Sequence, residues 1–401
     1  MIVAIADDIS SAAEVAGVAA QLGFSAEVHT AFDPSAAADV VALDTDSRAL
    51  GVEQAARRIA EFSRGVVAAR PDWIYKKVDS VLRGPVRAEV EALLAMTGKT
   101  RAVLLPANPS RGRTIRNGTY FVDGVPLSET AFAHDPHFPA RSANVLTLLS
   151  THDGGVRVTS LRRREPLPRE GIHLPDVEER EDLVSRARVL DETTLPAGAA
   201  DFFEVLLQER EGASTLSVTN EKPQEFGSGP SLMVCGSAAA WETGRAEECR
   251  QRQIPVLTLP ADLFAEPEDG SAEDALLDSW AKGATRALDR AGNVMLAIGH
   301  SGGAPVSVSP EVLAGRLIEA ATRVCAERRI QRLYLEGGAT ASGLLKRMQW
   351  TRLAAAKLFA PGMPAFEING SPEGPLLFMK PGSYPWPDPV WTRVPGGGPS
   401  S

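Results

Sequence analysis

Four stretches of the chain repeat one pattern: an apolar or β-branched run, a turn of small and polar residues, and a segment with helical periodicity. They read IVAIADDISSAAEVAGVAAQL, WIYKKVDSVLRGPVRAEVEALLAM, SLMVCGSAAAWETGRAEECRQR and RLYLEGGATASGLLKRM. This alternation predicts an α/β fold with largely parallel sheets, whose ligands bind where the strands end. The turns are therefore the places to look for chemistry.

The length of the chain predicts two domains. A single hydrophobic core usually stops growing at about 250 to 300 residues, and this chain has 401 residues, 44% of them hydrophobic. We expect two three-layer α/β domains with a cleft between them. Residues 211–230 are rich in Gly, Ser, Thr and Pro, which places the domains at 1–225 and 226–394, with 395–401 as a disordered tail.

Charge and cysteine content restrict the partners and the compartment. A net charge of -9 disfavours binding to nucleic acid or to an anionic membrane. The three cysteines, Cys235, Cys249 and Cys325, form no CxxC pair and indicate neither a disulfide framework nor a zinc site. The N-terminus has no basic leader, and no apolar run is long enough for a membrane span. We expect a cytoplasmic protein.

The first turn, ADDISSAAE, carries two adjacent acids, Asp7 and Asp8. Successive strand side chains point to opposite faces, so the two acids are expected to do different jobs. One alternative is purely structural, because Ser11 and Glu14 match an S-x-x-E capping box and an aspartate often caps a helix.

The turn YKKVDSVLRGPVRAE gathers Lys77, Asp79, Ser80 and Arg83 just before a helix. Cations and a hydroxyl at a helix N-terminus are typical of a receptor for a small carboxylate or phosphate. The alternative is that Asp79 and Arg83 simply pair and tie the loop.

The segment PANPSRGRTIRNGTYFVDGVPLSET combines a basic loop with a hairpin signal. Arg113 and Asn117 are candidates to reach an anionic ligand, although solvated loop charges are the commoner outcome. The Asp123–Gly124 dipeptide predicts a tight hairpin turn. His134 and His137 match no established metal-site spacing and are read as surface residues.

Two glycine turns occur in the second half. LYLEGGATASGL places Gly337, Gly338 and Thr340 between a strand and a helix, where backbone N–H groups and the helix dipole favour a phosphate. VCGSAAAW, with Gly236 and Ser237, is a weaker turn of the same kind. The structural alternative is a tight strand–helix connection. P-loop, Rossmann, G-x-S-x-G and H-E-x-x-H motifs are absent from the sequence.

Taken in order, nine motifs resemble the four-carbon acid sugar kinase family over nearly the whole chain. They are ADDISSAAEVAG, DTDSR, YKKVDSVLRG, PANPSRGRTIRNG, GVPLSETAFAHDP, CGS, GGATA, PGMP and KPGSY. The resemblance implies that the N-terminal domain binds the sugar acid and that the C-terminal domain binds ATP. The implied sugar-side residues are Asp7, Asp8, Lys77, Asp79, Ser80 and Arg83. Ser10 and Arg113 are further substrate-binding candidates. The implied nucleotide-side residues are Ser237, Gly337, Gly338, Thr340 and Gly382.

The chain departs from the family pattern at two places. The usual Thr-Gly after the acidic pair is Ser10–Ser11 here, which keeps a hydroxyl but adds a side chain where glycine lets a ligand approach the backbone. The usual Lys-Ser-Gly-Asn-Phe-Gly loop is KPGSYP, which keeps Lys380 and Gly382 but has Pro385 at the second glycine.

The resemblance and the turns together predict an ATP-dependent kinase that phosphorylates a terminal hydroxyl of threonate, erythronate or an oxo-tetronate. Asp7 or Asp8 would accept the hydroxyl proton, and Mg²⁺ would bridge the ATP phosphates, with no metal ligand assigned. A homodimer is also expected. One alternative is a sugar-acid sensor without turnover. A weaker one is an aspartate-dependent phosphatase, which needs two acids two residues apart, where this chain has Ile9.

Overall fold

The computed structural model divides the chain into two compact units, Met1–Ser217 and Val218–Ser401. It describes residues 1–135, 137–149, 155–212, 229–237, 241, 244–266, 270–300, 306–360, 363–380, 386–387 and 390. The domain boundary at 225/226 and the tail 395–401 lie outside the described residues, and the cleft between domains stays a prediction.

The first unit alternates strands and helices. Its elements are β1 (Ile2–Ala6), α1 (Ile9–Gln21), β2 (Ala26–His29), β3 (Val40–Asp44), α2 (Val52–Ala68), β4 (Trp73–Lys77), α3 (Val86–Thr97), β5 (Arg101–Leu105), β6 (Arg113–Arg116), β7 (Thr119–Val122), β8 (Val125–Pro126), α4 (Val145–Leu149), β9 (Val158–Leu161), β10 (Gly171–Pro175), α5 (Arg180–Ala187), β11 (Thr194–Gly198) and α6 (Ala200–Glu211). The main sheet runs β2-β3-β1-β4-β11-β5-β10-β9, and these neighbours pair in parallel.

Helices cover this sheet in two groups. α1 packs on α6 and α6 on α5, whereas α2 packs on α3. The central strands β1 and β3 are buried along their whole length, as expected for parallel strands covered on both faces.

A separate small antiparallel sheet is formed by β6, β7 and β8. Its predicted hairpin is confirmed, because Val122 pairs with Val125 and both turn residues, Asp123 and Gly124, have positive φ angles of 50° and 80°.

The second unit has a mixed sheet. Its elements are β12 (Ser231–Cys235), α7 (Arg245–Gln251), β13 (Val256–Thr258), α8 (Gly270–Ala291), β14 (Asn293–Ala297), α9 (Pro310–Glu327), β15 (Arg332–Glu336), α10 (Gly338–Arg347), β16 (Arg352–Ala360), β17 (Met363–Ile368) and β18 (Leu376–Lys380). The order is β13-β14-β12-β15-β18-β17-β16, parallel from β13 to β18 and antiparallel at β17 and β16. The predicted α/β class with largely parallel sheets is confirmed.

Of the two structural alternatives for the turn after β1, an aspartate cap and a Ser11–Glu14 capping box, the structure has the first. Asp8 is the N-cap of α1, and its Oδ1 accepts a hydrogen bond from the Ser11 backbone N–H at 2.7 Å. The Ser11–Glu14 capping box is therefore wrong, because the helix already begins at Ile9 and Ser11 lies inside its first turn. In the described part of the chain, no helix is both long and apolar enough to cross a membrane.

Candidate active site

The candidate site of the first unit lies where β3, β1 and β4 end side by side. Asp7 and Asp8 follow β1, residues 45–48 follow β3, and residues 78–83 follow β4. Because these strands are parallel, their carboxyl ends share one edge of the sheet. The first and second turns therefore lie together because of the strand order.

Arg48 is the centre of this cluster. Its Nε and one terminal nitrogen bind the two oxygens of Asp7 at 2.7 and 2.9 Å, and its other terminal nitrogen binds Asp8 Oδ2 at 2.5 Å. A further bond of 2.9 Å reaches Ser11 Oγ. Arg48 was absent from the predicted site residues, and its sequence signal was only its place in the DTDSR motif after β3.

The two acids occupy different surroundings. Asp7 is 1% exposed. Burial alone would raise the pKa of its carboxyl, but the charge and hydrogen bonds of Arg48, with the charges of Lys76 and Lys77, hold the pKa below its ordinary value. The Asp8 side chain is 15% exposed and also accepts a 2.8 Å bond from Ser10 Oγ. Asp8 is therefore the acid at the accessible rim.

Asp79 and Arg83 form the ion pair that the structural alternative predicted. Arg83 binds both oxygens of Asp79, at 2.7 and 3.0 Å, and reaches Asp135 Oδ2 at 3.2 Å. Although burial opposes it, the charges of Arg83 and Arg48 hold the pKa of Asp79 far below its usual range. The Arg83 side chain remains 28% exposed, so the pair does not seal it from a ligand.

Lys77 lies deeper than its predicted role suggested. It is buried, and its Nζ lies 3.2 Å from Glu14 Oε2 and 3.3 Å from Ser11 Oγ. Ser11, which stands where the family usually has glycine, thus bridges the Lys77 ammonium and the Arg48 guanidinium. The extra side chain is built into the charge network.

The small sheet supplies a second side of the site. Arg113 of β6 donates a hydrogen bond to Ser80 Oγ. The Phe132 ring lies 5.8 Å from the Arg83 guanidinium and 5.6 Å from that of Arg113, which is within cation–π range. Asn117 lies elsewhere, since its side chain accepts from Arg162 and its N–H donates to Asp176.

The candidate nucleotide turn of the second unit follows β15. Gly337 has a φ of 103°, a conformation that L side chains rarely adopt, and α10 begins at Gly338. A Cβ on Gly236 would lie 2.1 Å from Thr340 Oγ1, and one on Gly337 would lie 3.8 Å from Ser237 Cβ. Four of the five predicted nucleotide-side residues therefore belong to one turn region, and Gly382 lies outside the described residues.

A buried charge cluster supports this turn. Glu336, 1% exposed, accepts bonds of 2.9 and 3.1 Å from Arg245 of α7 and a further bond from Lys380 Nζ at the end of β18. Burial lowers the pKa of Lys380, and the Glu336 carboxylate opposes that shift. Arg245 and Glu336 were not predicted, because their pairing depends on the contact of α7 with the end of β15.

Comparisons with known proteins agree with the motif order. A family model described as the sugar-binding N-terminal domain matches residues 2–204. A D-threonate kinase of Salmonella typhimurium is 36% identical over 151 residues, which is 37% of this chain and 36% of that protein. A 3-oxo-tetronate kinase of Methylobacterium radiotolerans is 27% identical over 422 residues, 95% of each chain. A D-threonate kinase of Bordetella bronchiseptica is 26% identical, covering 91% of this chain and 89% of that one.

Solved structures show the same fold. A Salmonella typhimurium LT2 protein superposes with a TM-score of 0.74 at 17% identity, over 96% of both chains. A Haemophilus influenzae protein of the DUF1537 family gives 0.67 at 19% identity, over 95% of this chain and 96% of that one.

Proposed function

The chain belongs to the family of the sugar-binding N-terminal domain, as its motifs predicted, and we propose that it is an ATP-dependent kinase of four-carbon sugar acids. Relatives named D-threonate, D-erythronate and 3-oxo-tetronate kinase support the reaction. The observation that carries the proposal is the Arg48 cluster, in which a guanidinium holds two carboxylates at the carboxyl ends of parallel strands.

The sugar acid binds to the first unit. Arg83 and Arg113 are suited to its carboxylate because guanidinium groups bind carboxylates through paired donors. Asp79, Ser80 and Ser10 are suited to its hydroxyls.

Asp8 is the proposed proton acceptor for the attacking hydroxyl. Both oxygens of Asp7 are held by Arg48, and its carboxyl is buried. Asp8 Oδ1 accepts one bond, from the Ser11 N–H, and a carboxylate oxygen has room for more than one donor. Asp7 then serves to hold Arg48 in place.

ATP binds to the second unit, with its phosphates at the start of α10. The first four N–H groups of a helix have no partner within the helix, and Gly337 and Gly338 let a phosphate approach them. Ser237, Thr340 and Gly382 complete the proposed pocket. Lys380 and Arg245 offset the charge of Glu336 there.

Mg²⁺ is proposed to act with the bound nucleotide. Within the described ranges, no group of three or more His, Cys, Asp or Glu side chains is placed to hold a metal. This fits Mg²⁺, which is commonly held by substrate phosphates with one or two carboxylates and water. When bound, it would neutralise charge on the phosphates. A homodimer and a cytoplasmic location remain parts of the proposal.

Replacing Gly236 with alanine is expected to raise KM for ATP about tenfold or more, because the new Cβ displaces the Thr340 hydroxyl. Tetronate binding to the first unit should be unchanged. Gly315→Ala is the matched control, since a Cβ there meets nothing within 4 Å. Equal KM values for ATP in both variants would remove Thr340 from the nucleotide site.

The reaction is tested by ADP release from Mg-ATP with D- and L-threonate, D- and L-erythronate, and 2- and 3-oxo-tetronates. At least one of these acids should accelerate ADP release well above the ATPase background. If none does, calorimetry separates the remaining functions: tetronate binding without ATP binding would indicate a sugar-acid sensor.

A further inference from the structure

A buried row of oxygen atoms connects α3 with residues 45–48, the segment after β3 that we call the Arg48 loop. It consists of Glu89 of α3, Ser47 and Thr45 of the loop, and the carbonyl oxygen of Ala6 at the end of β1. Glu89 is 1% exposed, and Ser47 and Thr45 are fully buried. Thr45 and Ser47 belong to the DTDSR motif, but the proposed mechanism gives no role to them or to Glu89.

Each oxygen of this row lies at hydrogen-bonding distance from the next one. Glu89 Oε1 lies 2.5 Å from Ser47 Oγ, Ser47 Oγ lies 2.8 Å from Thr45 Oγ1, and Thr45 Oγ1 lies 2.7 Å from the Ala6 carbonyl oxygen. Each of the three contacts needs one proton, because two oxygens without a proton between them repel each other at these distances.

A proton count decides the direction of the row. A carbonyl oxygen only accepts, so the Thr45 hydroxyl must donate to Ala6. Ser47 must then donate to Thr45, which leaves its own oxygen needing a donor. Two hydroxyl protons serve two contacts, and the third contact is with Glu89.

We infer that Glu89 is protonated in the folded protein and donates its proton to Ser47, which makes Glu89 a positioning residue for the Arg48 loop. The route to Arg48 is short. The backbone N–H groups of Ser47 and Arg48 both donate to the Asp7 carbonyl oxygen, at 2.9 and 3.1 Å. A fixed Ser47 side chain therefore fixes the backbone from which the Arg48 guanidinium projects.

The charged neighbours of Glu89 are compatible with a neutral carboxyl. Burial raises the pKa of Glu89, and the charge of Asp7 at the end of β1 raises it further, whereas the charge of Lys76 and the hydrogen bonds with Ser47 and Lys76 oppose the shift. Lys76 Nζ lies 2.9 Å from Glu89 Oε2 but also donates to the carbonyl oxygens of Lys77 and Ile5, at 2.9 and 3.4 Å. Its charge also lowers the pKa of Asp7, so the ammonium has another carboxylate to stabilise.

Infrared spectroscopy of the wild-type protein tests the proton directly. Ordinary Asp and Glu carboxyls are ionised at pH ~6.5, and the pKa values of Asp7, Glu14 and Asp79 are lowered. A protonated-carboxyl C=O band is expected at that pH in wild type and is expected to be missing in Glu89→Gln. A wild-type spectrum without the band would overturn the inference.

Two substitutions test the positioning role. This part of the inference rests on the proposed function, whereas the protonation of Glu89 does not. Glu89→Met removes the donor and should raise KM for the sugar acid about tenfold while KM for ATP holds. In Glu89→Gln the amide can donate to Ser47, so most of that loss should be rescued. If Glu89 were instead ionised and paired with Lys76, Gln would leave a buried cation unpaired, and Glu89→Gln would lose at least as much as Glu89→Met.

Glu91→Gln is the matched control, because Glu91 lies on the same helix as Glu89 and pairs with Arg87, four residues earlier, at 2.9 Å. A Gln variant at 89 that is as impaired as the Met variant, or that fails to fold, would contradict the inference. Absence of wild-type turnover with every tetronate would instead refute the proposed function, and the infrared band would still decide the protonation of Glu89.

Discussion

Asp8→Asn is expected to lower kcat by roughly 10² to 10⁴, the usual contribution of a positioned general base. The asparagine oxygen can still accept the hydrogen bond from the Ser11 N–H that caps α1, so the unfolding midpoint should change little. The amide cannot take the proton of the attacking hydroxyl. Steady-state kinetics at saturating tetronate and ATP measure kcat, and urea unfolding measures the midpoint.

Two further variants complete this test. Asp8→Ala removes the cap as well as the base and should cost an additional ~1 kcal/mol of stability. Asp7→Asn weakens the hold on Arg48 and should raise KM for the sugar acid. A kcat for Asp8→Asn within about threefold of wild type would show that Asp8 is not the base, and a selective loss of kcat in Asp7→Asn would transfer that role to Asp7.

Arg48→Met is expected to raise KM for the sugar acid at least ~100-fold and to destabilise the protein by about 3 to 5 kcal/mol, the usual cost of leaving a buried charge unpaired. The group that loses its hydrogen-bonded partner is the buried Asp7 carboxylate, which Arg48 binds through two bonds. Urea unfolding measures the stability, and initial rates measure KM.

The same loss of Arg48 predicts a pH dependence with a definite sign. The lowered pKa of Asp7 means that the carboxylate contributes stability at neutral pH that is lost as pH falls through its folded pKa. In Arg48→Met the pKa of Asp7 should rise, so the variant should be most destabilised near neutral pH and should approach wild type in acid.

Arg101→Met is the control for Arg48. Arg101 is another arginine of the first unit with an aspartate partner, bound to Asp191 at 2.7 Å, but it begins β5 at the opposite edge of the sheet. This variant should lose stability without a change in KM. If both variants had the wild-type KM, Arg48 would be only a structural ion-pair partner.

Local sequence patterns predicted the helices, strands and turns. The contacts that they could not predict depend on the order of the strands in the sheet. The capping of α1 by Asp8 was predictable because the cap and the helix start lie within one turn. The pairing of Asp79 with Arg83 spans four residues and was also foreseen as an alternative. These features depend on a strand ending and a helix beginning within a few residues.

Arg48 could not be placed in the same way. It meets Asp7 and Asp8 across 41 and 40 residues because β3 lies beside β1, and a single sequence does not specify strand neighbours. The contact of Arg245 with Glu336 spans 91 residues and escaped prediction for the same reason. The Ser11–Glu14 capping box failed because Asp8, three residues before Ser11, already caps the helix.

The central claim is phosphoryl transfer to a sugar acid, and the most direct measurement is ³¹P NMR of the product formed from Mg-ATP and the most active tetronate. The account predicts one phosphomonoester of the sugar acid for each ADP, with little inorganic phosphate, and a correspondingly slower growth of that signal in Asp8→Asn. Inorganic phosphate as the sole product alongside ADP, with no phosphorylated acid, would contradict it.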